Sequence, residues 1–291
     1  MNNVNIDDIL SGLFDGNIIP YLGAGTLSSS KNILTNESIP ADSDSLILAM
    51  NNGQPMVPKL MYEFPRAAMH FELKRGRSFI TKFLTNLYSD KKWSTPSLYK
   101  WLTDLNLPYL IDTNRDTLFQ EEYKDRPHNL VLGCARIGGT EYRFKIFEYD
   151  GKSYTEVEVD SVNANLPTLF KPMGSPVPEP HYIASDADYV DYITELMGGF
   201  AIPKFVKDFR LGKQYLFLGM SLTRDTERMV MSDITWGAKD IRGWAVMDNP
   251  TDKEKRFCKR IGIEIIETSL DELFEAFLNV TANKSETAAI A

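Results

Sequence analysis

Five short clusters combine residue types that could do chemistry. Gly23-Ala24-Gly25-Thr26 follows the apolar run Ile18–Leu22. Glycines at the carboxyl end of a buried strand let backbone N–H groups come close to a phosphate. A bare Gly-x-Gly also closes tight turns that hold no ligand. Asp112-Thr113-Asn114-Arg115-Asp116 follows a second apolar run, residues 108–111. Its short polar side chains could orient a sugar or a carbonyl; read alone, the pentapeptide is equally a helix N-cap. Lys171-Pro172-Met173-Gly174-Ser175 follows residues 166–170, and Gly219-Met220-Ser221 follows residues 215–218. Asp248-Asn249-Pro250 follows residues 244–247. A carboxylate so placed can hold ribose hydroxyls, and before proline it is also ordinary turn chemistry.

Candidate proton carriers are few. Of the three histidines, His70 sits in a helical stretch beside Phe71 and reads as a packing residue. His128 follows Arg126-Pro127 and reads as loop. His181 lies beyond a proline-rich turn (Pro176, Pro178, Pro180) and reads as a surface loop residue that could fold back toward Met173. Asp112 and Asp116 could each accept a proton if desolvation raised their proton affinity.

The elements that must position these clusters alternate. Apolar residues at 6, 9, 10, 13 and 14 have helical spacing, with Gly16 as a C-cap. Core strands are expected at Ile18–Leu22 and at residues 108–111, 215–218, 244–247 and 263–266. Helices are expected at residues 94–105, 225–235 and 252–261. Ser269 to Glu272 has capping-box spacing before a last helix. Alternation of this kind predicts a doubly wound, Rossmann-like parallel sheet of the α/β class, with ligands beyond the strand carboxyl ends. Residues 41–90 carry helical patterning and predict a smaller helical module. Residues 142–160 alternate with period two around Asp150-Gly151 and predict an inserted β-hairpin. One domain over residues 1–280 is expected, with 281–291 a loose tail.

Composition narrows the function classes. The 291 residues include 43% hydrophobic and 25% charged side chains, and the net charge is −8. An acidic chain argues against a broad nucleic-acid footprint. The cluster Lys74-Arg75-Gly76-Arg77 reads as solvated surface. No stretch approaches the roughly 18 apolar residues of a membrane helix, and the N-terminal MNNVNIDDIL lacks a leader pattern. Cys134 and Cys258 form no C-x-x-C, so no metal site or disulfide is expected. A cytoplasmic protein follows. Trp93, Trp101, Trp236 and Trp244 are expected to pack in the core.

Taken in order, GAGT, TN-x-D, K-P-x-G-S, FLG-x-SL-x-x-D and the DNP turn resemble the sirtuin-like (silent information regulator) NAD-binding family. The likeness is to its bacterial, zinc-less branch, and covers roughly residues 5–278. The resemblance implies NAD as substrate or ligand, no metal, and a prokaryotic cytoplasmic setting. It implies that Gly23, Ala24, Gly25 and Thr26 take the pyrophosphate. It places Asn114 beside the nicotinamide ribose, Asp116 near the nicotinamide pocket, and Gly174 and Ser175 in the cofactor site. Gly219 and Ser221 would contact the adenosine half, and Asp248 the adenine ribose. Asp225 and Arg228 would brace the loop after the G-x-S turn. Glu63-Phe64-Pro65-Arg66 loosely echoes a further family loop, with Arg66 equally a helix-surface residue.

One departure stands out. The family carries His-Gly where this chain has Met173-Gly174, and a thioether cannot act as a general base. General-base catalysis typically supplies about 10²–10⁴-fold in rate. The sequence therefore leaves three readings open: a weak or partner-activated NAD glycohydrolase built on Asn114 and Asp116, an inactive sensor of NAD or ADP-ribose, or a scaffold whose strand ends no longer bind nucleotide. A protein partner or a homo-oligomer would suit either of the first two. The four zinc cysteines of the family's protein deacylases are absent between residues 174 and 219, which argues against that activity.

Overall fold

The computed structural model describes residues 6–290. The chain runs α1 (Ile6–Phe14), β1 (Ile18–Leu22), α2 (Ser43–Met50), α3 (Pro58–Met61), α4 (Phe64–Arg75), α5 (Arg77–Thr85), α6 (Ser97–Asp104), β2 (Tyr109–Asp112), α7 (Leu118–Glu122) and β3 (His128–Gly133). It continues β4 (Phe144–Tyr149), β5 (Tyr154–Glu156), β6 (Thr168–Lys171), β7 (Gly174–Ser175), β8 (His181–Tyr182), α8 (Asp186–Gly198), α9 (Lys204–Phe209), β9 (Gln214–Leu218), α10 (Asp225–Ile234), β10 (Gly243–Met247), α11 (Asp252–Arg260), β11 (Ile263–Glu267) and α12 (Leu270–Ile290).

Nine strands form one sheet in the order β11-β10-β9-β1-β2-β6-β3-β4-β5. Strands β11 through β3 in that order pair in parallel, while β4 and β5 add an antiparallel edge. The class expected from the alternation, a Rossmann-like α/β sheet with a helical module and a hairpin, is what the structure contains. β1 is buried along its whole length. It sends Ile18 and Leu22 into one apolar core and Ile19 and Tyr21 into the other. A strand covered on both faces must be apolar throughout, which is why it reads as a continuous run. Each fully buried side chain of this size contributes roughly 1.5–3 kcal/mol. The chain leaves β1 toward β2 on one side and returns to β9 on the other. β1 therefore borders the point where strand order reverses, where open α/β sheets form a crevice.

Several local expectations change. Residues 128–133 form a central strand, β3, with His128 and Asn129 fully buried rather than in a loop. The run escapes pattern reading because it opens on two polar residues that find partners inside, although Asn129 Oδ1 stays buried without one among the described residues. His128 bonds Arg126 O and Tyr154 Oη, and Asn129 donates to Asn163 O. The hairpin expected within 142–160 forms as β4 and β5, and it extends the main sheet through β3–β4 pairing. Trp236 is 65% exposed, not core, whereas Trp93 is buried and Trp101 and Trp244 pack against the core. The capping box forms, with Ser269 N donating to Glu272 Oε2 and Glu272 N to Ser269 Oγ. No glycine or proline follows it, and α12 runs on to Ile290 through residues expected to be loose. Residues 1–5, the first half of the N-terminal stretch read above for a leader, and residue 291 lie outside the described residues.

Candidate functional site

A cavity of about 250 Å³ opens at the carboxyl ends of the central strands, under the helical module. This lies near the small end of ligand cavities, which run about 300–1,000 Å³. β1 and its turn supply Tyr21, Gly23 and Ala24; the β2 turn supplies Thr113, Asn114 and Arg115. Met173 comes from the turn after β6, and Met220, Ser221 and Thr223 from the turn after β9. α10 and its start add Arg224, Thr226, Glu227 and Val230, and α8 adds Tyr189. The helical module contributes Asp42, Asp44, Glu63 and Phe64 among others. Carboxylates thus outnumber guanidinium groups in the lining.

The glycine turn is built against the turn after β9. Gly23 N donates to Leu218 O at 2.9 Å and Gly25 N to Gly219 O at 2.8 Å. Gly219 has φ +64, and a Cβ there would sit 2.4 Å from Thr26 N, so two backbones meet where no side chain fits. The N–H groups of Gly23 and Gly25 are therefore committed to protein carbonyls. Gly23 and Ala24 line the cavity, while Gly25 and Thr26 do not. Thr26 Oγ1 instead donates to Gly23 O at 2.7 Å and lies 3.0 Å from Tyr99 Oη.

Asn114 joins the same lattice and also faces the cavity. Its Nδ2 donates to Gly23 O at 3.1 Å, Thr26 Oγ1 at 3.2 Å and Tyr99 Oη at 3.0 Å. A carbonyl can only accept, so Gly23 O fixes the amide orientation and leaves Asn114 Oδ1 as the atom available to a ligand. Behind it, Asp112 accepts Asn114 N at 3.0 Å and holds the Lys171 ammonium, both side chains fully buried. Burial pushes the Asp112 carboxyl up to about 6 against the pull of Lys171, with Asp116 adding to the rise. Asp116 is 1% exposed, accepts Leu118 N at 2.8 Å, and does not line the cavity. Its Oδ2 is buried with no partner among the described residues.

Met173 is a cavity wall. Tyr189 Oη donates to its Sδ at 3.3 Å, and Arg115 Nη2 donates to Tyr189 Oη at 3.4 Å. Arg115 is anchored by two bonds to Ile183 O, 2.6 and 3.1 Å long, and lies over the Phe64 ring. Gly174 and Ser175 turn away into the β7–β8 hairpin. A Cβ on Gly174 would meet His181 O at 1.9 Å, and Ser175 Oγ donates to Gln120 Oε1 at 2.6 Å. The chain does fold back after Met173, pairing Ser175 with His181. The imidazole of His181, however, bonds Glu179 at 3.1 Å and does not line the cavity; burial lowers its proton affinity. His128, lowered to about 4 by burial, and His70, edge-on to Phe71, do not line it either.

The later turns divide. Ser221 is an exposed rim residue, its Oγ 3.1 Å from Thr223 Oγ1. Asp248 is exposed, accepts Asn249 Nδ2 at 2.6 Å, and lies outside the lining. Arg228 pairs with Asp225 and donates to Leu222 O at 3.0 Å, bracing the loop after the G-x-S turn as expected. Arg66 sits 3.8 Å from Glu63 and outside the lining.

Two cavity residues, Tyr189 and Glu227, carried no signal in the sequence, and Arg115 and Glu63 appeared there only as members of their clusters, without a role of their own. Glu227 is the most unusual. Its Oε2 is shut off from solvent and meets no donor among the described residues. Burial raises its carboxyl to about 7, with Glu63 and Glu254 adding to the rise and Arg224 and Arg228 opposing it. Among the described residues no group of three or more His, Cys, Asp or Glu could hold a metal ion. Both thiols are buried, with Cys134 pushed up to about 12 and Cys258 to about 11.

Comparison with known proteins gives the family. No curated protein matches the chain. The model of the SIR2-like domain matches residues 108–266, more than half of the chain. The matched stretch runs from the residue before β2 into β11 and carries the turns of Asn114, Met173, Ser221 and Asp248. The chain belongs to the SIR2-like domain family.

Proposed function

We propose that this protein binds NAD at the carboxyl ends of its central strands and slowly hydrolyses the nicotinamide–ribose bond, releasing nicotinamide and ADP-ribose. The observation that carries the reading is Asn114. Its amide is fixed by the glycine turn, which leaves Oδ1 to accept from a ribose hydroxyl or a water. Family membership supports NAD as the ligand. In this reading Ala24 lies near the pyrophosphate, Arg115 offers a cation, and Ser221 marks the adenosine side of the rim. Glycosidic cleavage passes through a cationic ribose, which a cavity rich in carboxylates favours.

A second reading rests on Met173. A thioether bonded by Tyr189 lies where the wider sirtuin-like pattern has histidine, and it takes up no proton at neutral pH. Under that reading the protein binds NAD or ADP-ribose and reports it to a partner or a second copy without turnover. Nicotinamide release at high protein concentration separates the two. Release that is lost in Asn114→Ala supports the hydrolase, with circular dichroism confirming that this variant is folded. Binding without release supports the sensor.

A further inference from the structure

The hydrolase reading lacks a proton acceptor, and the structure narrows the search. His181, Asp112 and Asp116 do not line the cavity. Asp42 and Asp44 are exposed, and Asp42 caps α2 through Ser45 N. Glu63 accepts Thr226 Oγ1 at 3.3 Å and faces Arg66. Glu227 differs from all of these. It lines the cavity, it has an oxygen closed to solvent, and it makes no ion pair among the described residues. The cations beside it are engaged elsewhere. Arg228 is held by Asp225 and Leu222 O, and the Arg224 guanidinium lies 4.1 Å from the centre of the Tyr62 ring.

We propose that Glu227 is the proton acceptor of this site, taking a proton from the water that attacks C1′ of the nicotinamide ribose. This rests on the hydrolase reading. The water oxygen bonds to C1′ as the C1′–N bond breaks, and the bonding electron pair leaves with neutral nicotinamide. The water proton passes to the Glu227 carboxylate and then to solvent, so NAD and water become ADP-ribose, nicotinamide and a proton. The oxygen that is closed to solvent and without a donor makes the charged carboxylate costly and so raises its proton affinity, while the side chain as a whole lines the cavity where the attacking water is bound. The groups around Glu227 favour this role. Tyr21 on β1 and Tyr189 on α8 are neutral phenols, Glu63 before α4 and Glu254 on α11 are like charges, and Arg224 and Arg228 oppose them only in part. A base is most effective when its proton affinity matches the working pH.

The test is nicotinamide release from NAD by wild type, Glu227→Gln and Glu227→Asp between pH 5 and 9, with NAD affinity read by calorimetry. Wild-type kcat should rise with pH and level off above about 7. Glu227→Gln should bind NAD, lose about 10²-fold or more in kcat and lose the rising limb. Glu227→Asp should keep the limb at a reduced rate. A Glu227→Gln protein that binds NAD and turns over within about threefold of wild type, with the same limb, overturns the proposal. So does a wild type that binds NAD without releasing nicotinamide. Absence of NAD binding by wild type overturns the hydrolase reading itself, and the proposal with it.

Discussion

Lys171→Met isolates the part of the frame that holds Asn114 in place. Lys171 at the end of β6 and Asp112 at the end of β2 are both fully buried and paired. Asp112 also accepts the N–H of Asn114. Removing the ammonium leaves a buried carboxylate with one backbone donor, and breaking one partner of such a pair typically costs about 3–5 kcal/mol. At roughly 2.1 cal/mol/K of unfolding entropy per residue, a chain this long loses about 5–8 °C in Tm. The pH dependence has a definite sign. The folded Asp112 carboxyl is raised to about 6, so its cost is absent at low pH and appears as pH rises. Without Lys171 that rise is larger, so the Tm deficit should be small at pH 5 and large at pH 8. Asp112→Asn combined with Lys171→Met removes the stranded charge while keeping an acceptor for Asn114 N, and should recover most of the loss. Thermal unfolding by circular dichroism at both pH values is the assay. A single variant within about 2 °C of wild type at pH 8 would refute the reasoning.

Other expectations follow from the same geometry. Gly219→Ala puts a methyl 2.4 Å from Thr26 N at a positive φ, and should cost about 2 kcal/mol or more in denaturant unfolding and abolish NAD binding. Met173→His places an imidazole beside Tyr189 Oη. In the Glu227→Gln background it should raise nicotinamide release at least about tenfold; no gain would mean that this wall does not face the reacting ribose. Glu227 is raised from 4.5 to about 7 in the folded state, so its contribution to stability is lost as pH rises through that range. Glu227→Gln should therefore match wild type near pH 4 and exceed it by on the order of 1–3 kcal/mol at pH 8, read by urea titration. Trp236→Ser should change stability by no more than about 0.5 kcal/mol, because the indole is exposed.

How far the fold and site can be read from sequence depends on what each residue must do locally. β1, β9 and β10 are short runs with apolar cores bounded by turn residues, and their pattern is visible without context. β3 is equally buried but opens on His128 and Asn129, whose burial depends on partners at Tyr154 and Asn163. No local pattern encodes those partners. The glycine turn and Asn114 are legible because strand ends concentrate polar and small residues, and both reach the cavity. Gly174, Ser175 and Asp248 sit at similar turns yet point into hairpin packing or solvent, a difference decided by β7–β8 pairing and the course of the chain after β10. Glu63 comes near Glu227 because it accepts a hydrogen bond from Thr226 at the start of α10, a tertiary contact. On a helical wheel Glu227 is one more polar residue of α10, and Glu63 is one more acidic residue just before a helix.

NAD binding by calorimetry is the most direct measurement, with Ser221→Trp as a variant that fills the exposed rim. Saturable binding of one NAD per chain is expected, with Kd at or below about 100 µM, equivalent to about −5.5 kcal/mol, and strongly weakened in Ser221→Trp. An absence of heat at millimolar NAD, or affinity unchanged by the rim substitution, would contradict a nucleotide site at these strand ends.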